Sequence, residues 1–457
     1  IAGRCAAMQL RDRISGQLAG LRSVMGMESG LEIAFHTVDC QLKQLILMAD
    51  QELDDLPVAV QLDFANGYNN ASRAAMISNV EQWFPSLTRY TRLMYGTPGR
   101  LFCVADGSLL DTVPSIDGSW QGDPLGYFCF EMAILDFMRA IEYHLAPGLV
   151  LKDATASEYT QPEHVVARSG LVWIADDLVL VSRRSDVIRA VDWVLESAPL
   201  YHLWPAVGKL CGFLPPPLAA RPRPVLLGAV DGGQSNDEHS HSLVRLLADR
   251  GVRCSREGLE RYLGAPVSVG RQSTVFEFVR GGSGHLERVT SAAESFLRSI
   301  QELSHAQAQY LALRYCCSVS LHHLTRLVAP QLLSSYALRL QDGIRSVAAS
   351  ILATETLTQT QCERLHLPAR EGGFQLGGAL PILQAAFVAS ASSVDTWFKV
   401  VRSEWGEIDE MRATLRGGAD LLTAINFLNH EFSGHTQEIR IEALDVAQLH
   451  QFPSQSK

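Results

Sequence analysis

Two stretches of this sequence place acidic residues at the ends of short apolar runs. Val58-Ala-Val-Gln-Leu-Asp63 predicts a buried strand that ends on an aspartate. Leu171-Val-Trp-Ile-Ala-Asp-Asp-Leu-Val-Leu-Val181 predicts a strand, an acidic turn and a second strand. Taken alone, each feature has an ordinary explanation, because an Asp pair at a hairpin tip is commonly a solvated turn and an Asp after a strand is commonly a helix cap.

The three acids together favour a metal site. If the strands are neighbours, Asp63, Asp176 and Asp177 repel one another, and each raises the pKa of the others unless a cation holds them. Carboxylate oxygens are the ligands that Mg²⁺ prefers. Two Mg²⁺ ions are a standard device for in-line phosphoryl transfer, so the spacing favours two-metal nucleotidyl transfer as one reading.

The residues around these acids resemble the reverse transcriptases of non-LTR retrotransposons. Leu62-Asp-Phe-Ala-Asn-Gly-Tyr-Asn-Asn-Ala-Ser-Arg73 resembles motif A, and Gly118-Ser-Trp-Gln-Gly-Asp-Pro-Leu-Gly126 resembles motif B. Ile174-Ala-Asp-Asp177 resembles motif C, and Val207-Gly-Lys-Leu-Cys211 resembles the end of motif D. The matches follow one another in the family's order. Three further matches extend this order: Gly26 to His36 upstream, and Tyr262 to Pro266 (the primer grip) and Leu367 to Gly373 downstream.

The resemblance implies an α+β fold of the right-hand polymerase type, with an antiparallel palm sheet, a helical thumb and a helical C-terminal region. The pattern predicts a helix over 4–25, a helix break at Pro85, a hairpin over 100–118 and helices over 285–356. The expected domains are partial fingers (1–55), the palm with interleaved fingers elements (56–212), a linker or insertion (213–245), a primer-grip region (246–282), the thumb (283–380) and a C-terminal helical extension (381–457).

The resemblance also assigns catalytic roles. Asp63 and Asp176 correspond to the carboxylates that hold two Mg²⁺ ions, with Asp177 as the weaker third member. Lys209 corresponds to a general acid beside the leaving pyrophosphate, although an ordinary surface lysine is an equally good reading. The implied activity is RNA-directed DNA polymerisation, and the implied partners are an RNA template, a DNA primer and dNTPs.

A further set of residues corresponds to the family's substrate contacts. Tyr68 corresponds to the aromatic gate that excludes a 2′-hydroxyl, and a core aromatic is the alternative. A bulky gate also disfavours an RNA-dependent RNA polymerase, which would share the carboxylates. Gln121 and Gly122 would line the nascent base pair, where a glycine lets the template approach closely. The remaining members of the set are Phe64, for substrate binding, and Leu263 and Gly264, for support of the primer end.

Several features depart from the family. Its basic finger strands are expected just before Ile1, and Trp120 replaces a polar residue beside the template path. The net charge is −10, whereas proteins that track a duplex are usually basic. These departures keep a second hypothesis open: the chain is a catalytically silent subunit of reverse-transcriptase origin, retained as a structural or interaction module, with a protein partner that supplies or replaces the fingers.

Composition limits the classes of protein to which the chain can belong. Hydrophobic residues make up 47% of the 457 residues and charged residues 19%, which is ordinary for a globular protein. The sequence has no run close to the roughly 18 uncharged apolar residues that a membrane span needs. Nine Cys without a CxxC motif argue against a zinc site or a disulfide framework. We therefore expect an intracellular, reducing compartment, with the nucleus and the mitochondrion both open.

Overall fold

The computed structural model divides the chain into two compact units. The described residues up to Leu259 belong to the first unit, and those from Glu260 onward belong to the second. The structure describes residues 29–48, 57–145, 170–174, 177–213, 245–255, 259–263, 265–267, 284–400, 412–413, 415–416 and 419–431. The predicted helix over 4–25 and most of the predicted linker over 213–245 lie outside these residues.

The first unit is built on a five-stranded sheet and a separate two-stranded hairpin. The strands are β1 (Pro57–Asp63), β2 (Gly99–Ala105), β3 (Ser108–Ser115), β4 (Gly170–Ile174), β5 (Asp177–Arg183), β6 (Cys211–Phe213) and β7 (Arg253–Ser255). The large sheet has the order β4-β5-β1-β6-β7, and β2 pairs with β3. The pairs β4–β5, β5–β1 and β1–β6 are antiparallel. The last pair, β6 with β7, is parallel, so the expected antiparallel sheet ends in a parallel edge.

Helices cover this sheet. They are α1 (Gly30–Met48), α2 (Gly67–Asn70), α3 (Arg73–Trp83), α4 (Thr88–Tyr95), α5 (Gly126–Leu145) and α6 (Arg184–Ser197). Short 3₁₀ turns lie at Pro85–Leu87, Ala198–Tyr201 and Val207–Lys209. The turn at Pro85 confirms the predicted helix break, because proline lacks the amide that a continuous helix needs.

The core follows from strand alternation. Val58, Val60 and Leu62 of β1 point to one face of the sheet and join the main hydrophobic core with residues of α3, α5 and α6. The odd-numbered residues point to the other face, which α1 contacts at β1, β4 and β5. Asp63 belongs to this second face, so the apolar run that predicted β1 also determines where its terminal carboxylate points.

The hairpin of β2 and β3 confirms the prediction over 100–118. It turns at Asp106-Gly107, both of which have positive φ. Its side chains are mostly exposed, although many are large and apolar. The most exposed are Leu101, Phe102, Val104, Leu109 and Leu110.

The second unit is mainly helical. A two-stranded sheet of β8 (Leu259–Tyr262) and β9 (Ala265–Val267) begins at its boundary. The helices are α7 (His285–Gln301), α8 (Ala306–Ala312), α9 (His322–Leu327), α10 (Pro330–Ile351), α11 (Gln359–His366), α12 (Leu383–Val400) and α13 (Ala419–Glu431). α7 packs on α10, and α12 packs on α9 and α13. The chain is therefore α+β, as the sequence predicts, and the predicted helical character of 285–356 is confirmed.

None of the helices in the described part of the chain combines the length and the apolar character that a membrane crossing requires.

Candidate active site

The register of β1 and β5 brings two predicted carboxylates together. Asp63 pairs directly with Asp177 across the antiparallel strands. Opposite residues in such a pair point to the same face, with Cβ atoms about 4.5–5.5 Å apart. Gln61 lies two residues earlier on that face, and its Nε2 donates to Asp177 Oδ1 at 3.4 Å. Asp176, the first acid of motif C, lies outside the described residues.

Lys209 reaches the same place through a segment that returns to the end of β1. The Ala65 amide donates to the Trp204 carbonyl at 2.7 Å, and the Ala206 amide donates to the Asp63 carbonyl at 2.8 Å. The chain then enters the turn at Val207–Lys209. As a result, Lys209 Nζ lies 2.8 Å from Asp63 Oδ2. The structure thus brings Asp63, Asp177 and Lys209 together, although 146 residues separate Asp63 from Lys209 in the sequence.

The electrostatics of this cluster suit a cation. Two carboxylates on one sheet face repel each other, and the Lys209 ammonium supplies a countercharge to one of them. The Lys209 side chain is 67% exposed and that of Asp63 is 18% exposed. An ion pair with so exposed a partner contributes little, so the ammonium can leave at small cost. Carboxylate oxygens are the donors that Mg²⁺ prefers, and Asp63 and Asp177 present such oxygens on one face of the sheet.

A complete metal site is not seen in the described residues alone. Within the ranges that the structure describes, no three or more His, Cys, Asp or Glu side chains form a group that could hold a metal ion. The two facing carboxylates therefore form part of the predicted set, whose third member, Asp176, lies outside those ranges.

The two aromatic residues of motif A have different surroundings. The side chain of Phe64 is only 1% exposed, and its ring meets the edge of Phe137 at 5.7 Å between centroids. Strand alternation turns this ring away from the carboxylates and into the core, and a substrate contact at Phe64 stays a prediction. The Tyr68 ring stacks on Phe130 at 4.4 Å with an interplanar angle of 10°, and part of it stays accessible. The stacking on Phe130 is consistent with a core aromatic, and the accessible part of the ring is consistent with a gate beside the substrate, so both alternatives for Tyr68 stay open.

The motif B residues occupy an exposed loop. Gln121 and Gly122 are both exposed. Gly122 has a φ of +94°, and a Cβ added there would meet nothing within 4 Å. The left-handed backbone therefore accounts for the glycine, and the open space leaves room for a ligand beside it.

A buried arginine of motif A holds one end of this loop, which the sequence reasoning missed. Arg73 is 5% exposed. Its Nε donates to the Gly118 carbonyl at 2.9 Å, and its Nη1 donates to the Ser115 carbonyl at 2.7 Å. Its Nη2 donates to Ser115 Oγ at 2.9 Å. Burial lowers the pKa of Arg73, and the nearby Tyr95 and Asp117 oppose this shift.

Two tyrosines hold the other end of the loop through Asp123. Tyr90 donates to Asp123 Oδ1 at 2.7 Å, and Tyr95 donates to Asp123 Oδ2 at 2.5 Å. The Leu125 amide also donates to Asp123 Oδ1 at 3.0 Å, at the start of α5. Burial and the hydrogen bond to Asp123 raise the pKa of both tyrosines, so both hydroxyls remain donors at neutral pH. In the sequence, Asp123 of the Gly-Asp-Pro segment was the one sign of this network.

The predicted primer-grip residues belong to the second unit. Leu263 has a φ of +50°, and His323 Nε2 contacts its carbonyl oxygen at 2.7 Å. Tyr262 beside it is fully buried. Gly264 lies outside the described residues. The structure thus shows a left-handed backbone at Leu263, after β8, that α9 contacts through His323.

Comparison with solved structures gives weak similarity. No model of a known protein family matches the chain. No curated protein matches it either. Among solved structures, telomerase from Candida albicans, in complex with a TWJ fragment of telomeric RNA, is similar at a TM-score of 0.33 and 11% sequence identity. The alignment covers 95% of this chain, which spans 56% of the length of the telomerase chain. A similarity this weak identifies neither a family nor an activity.

Proposed function

We propose that this chain is the core of an RNA-directed DNA polymerase that adds dNTPs to a primer on an RNA template by two-metal nucleotidyl transfer. The supporting observation is the pairing of Asp63 with Asp177, with Lys209 Nζ 2.8 Å from Asp63 Oδ2. Asp63, Asp176 and Asp177 would hold two Mg²⁺ ions, which supply Lewis-acid activation of a 3′-hydroxyl and charge neutralisation at the triphosphate.

The protein's own groups have separable roles in this proposal. The facing carboxylates of Asp63 and Asp177 create the negative field that attracts a cation. Lys209 holds a proton at Nζ on an exposed side chain, so it can leave Asp63 and approach the leaving pyrophosphate as an acid. Tyr68 lies five residues beyond Asp63, at the place the family uses to exclude a 2′-hydroxyl.

Primer extension tests the proposal. Purified protein, a primed RNA template, Mg²⁺ and dNTPs should give extended products, and Asp63→Asn should reduce them to background because one ligand charge is lost. Asp111→Asn, an exposed acid in the β2–β3 hairpin, serves as the matched control and should keep wild-type extension. Full extension by the Asp63→Asn protein would refute the assignment of that carboxylate.

A second candidate function has its own supporting observation. The β2–β3 hairpin exposes large apolar side chains, among them Phe102 and Leu110. Clustered exposed apolar side chains are typical of a surface that binds another molecule. This favours a catalytically silent interaction subunit. Under that hypothesis Mn²⁺, which has a paramagnetic resonance signal, should not bind wild-type protein any better than Asp63→Asn protein. Binding by the wild-type protein alone would contradict it.

A further inference from the structure

One exposed aromatic side chain lies directly beside the motif B loop. Trp120 immediately precedes Gln121 and Gly122 and is 36% exposed. Beside it, the space where a Gly122 side chain would lie contains no protein atom within 4 Å. An indole next to an open backbone segment has the shape of a platform for a flat ring.

The indole of Trp120 is held in place from the protein side. The Tyr95 ring lies 5.4 Å from it, tilted by 54°, and the Arg73 guanidinium lies 6.0 Å from its centre. The Gly99 backbone is so close that an added Cβ would lie 3.2 Å from Trp120 Cζ2. The Trp120 amide donates to Tyr95 Oη at 3.3 Å, and its carbonyl accepts from the Asp123 amide at 3.2 Å. A ring fixed before binding loses little entropy when a ligand stacks on it.

We propose that Trp120 is a stacking platform for an unpaired nucleobase of a single-stranded nucleic acid. The inference rests on the proposed function, since it makes the Gln121–Gly122 loop the place where the template strand meets the protein. Stacking on an aromatic ring is sequence-tolerant, because every base has a π face. Arg73 is already engaged with Gly118 and Ser115, so its role is to fix the indole rather than to contact phosphate.

The charge of the chain gives stacking added weight. A net charge of −10 limits the affinity that non-specific attraction of phosphates can supply. Stacking on the faces of the bases contributes affinity that does not depend on the attraction of phosphates. The contribution of Trp120 should therefore be the same at low and at moderate salt, whereas an ionic contact would weaken steeply.

Oligonucleotide binding tests the proposal. Fluorescence anisotropy would follow labelled oligo-U RNA and oligo-dT DNA on wild type, Trp120→Ala, Trp120→Phe and Phe427→Ala proteins. Phe427 provides the control because its ring is 46% exposed and its helix, α13, contains no proposed site residue. We expect Trp120→Ala to weaken binding by about 5- to 150-fold, with Trp120→Phe keeping most of the affinity.

The outcomes separate the stacking proposal from the polymerase proposal. If Trp120→Ala loses the same factor of affinity at about 50 and about 200 mM salt, the result supports stacking. Whether RNA, DNA or both lose affinity identifies the ligand. A Trp120→Ala protein that binds like the Phe427→Ala control overturns the stacking proposal, as does a wild-type protein that binds neither strand. Binding that depends on Trp120 without any primer extension would refute the polymerase activity alone. Extension with Trp120-independent binding would refute stacking alone.

Discussion

The buried Arg73 offers a quantitative test of how the motif A and motif B stretches are held together. The guanidinium makes three hydrogen bonds, one to the Gly118 carbonyl and two to Ser115. Arg73→Met keeps much of the side-chain length but removes every donor. The Gly118 carbonyl, in a buried residue, then loses the guanidinium donor.

The size of the effect follows from two opposing contributions. A hydrogen bond to a charged group contributes about 1.5–3 kcal/mol, and three bonds to one group do not add fully. Against this, removal of a buried guanidinium recovers its desolvation cost, the same cost that lowers the pKa of Arg73. We expect a net loss of about 3 kcal/mol in the free energy of unfolding of the first unit. Arg73→Lys should lose nearly as much, because an ammonium cannot replace the planar fork of donors.

Two measurements check this expectation. Urea denaturation gives the change in stability, and hydrogen exchange of the amides over 115–126 reports the loop locally. Arg92→Met is the matched control, since Arg92 pairs with Glu81 at the surface and its loss should leave the unfolding midpoint unchanged. An Arg73→Met protein with wild-type midpoint and wild-type exchange would refute the reasoning.

Two further predictions concern backbone geometry and pH. Gly118 and Gly107 both have a φ of +75°, but an added Cβ meets backbone at 2.3 Å in the first and nothing within 4 Å in the second. Gly118→Ala should therefore cost about 3 kcal/mol and Gly107→Ala about 1 kcal/mol in denaturant titrations, and equal costs would contradict the steric argument. Burial alone would raise the pKa of Asp395, but hydrogen bonds from Arg416 and Arg412 outweigh it and lower that pKa. Since a lowered folded-state pKa stabilises above the unfolded value of about 3.9, this contribution should disappear as pH falls below about 4, and Asp395→Asn should remove that pH dependence.

The sequence predicted those parts of the fold that depend on local pattern. The apolar run before Asp63, the two runs around the motif C acids and the turn signals at Asp106-Gly107 all became strands or hairpins. Side chains alternate between the two faces of a strand with a period of two. The assignment of β1 as a strand therefore also predicted the sheet face to which the Asp63 side chain points. The pairing of Asp63 with Asp177 required, in addition, that the two strands be neighbours in one particular antiparallel register.

The contacts that local pattern does not encode were the ones missed. Arg73 reaches Ser115 across 42 residues, and Tyr95 reaches Asp123 across 28. Nothing in the spacing of these residues distinguishes a buried donor from a solvated one, because burial depends on how α3, α4 and the loop pack. The packing of Phe64 was missed for the same reason, because its motif position gave no sign that its ring would lie against Phe137.

The distinction between site and scaffold decides which variants can test function. Arg73 and Asp123 lie in the same motif-like stretches as Asp63 and Gln121, yet their contacts hold backbone rather than face the open site. A variant at Arg73 would impair either function through the loop, because a polymerase and an interaction subunit both require the fold. A variant at Asp63 removes a charge from a partly exposed side chain whose described partner is an exposed lysine, so the fold should survive it. Only residues of the second kind can separate the two functions.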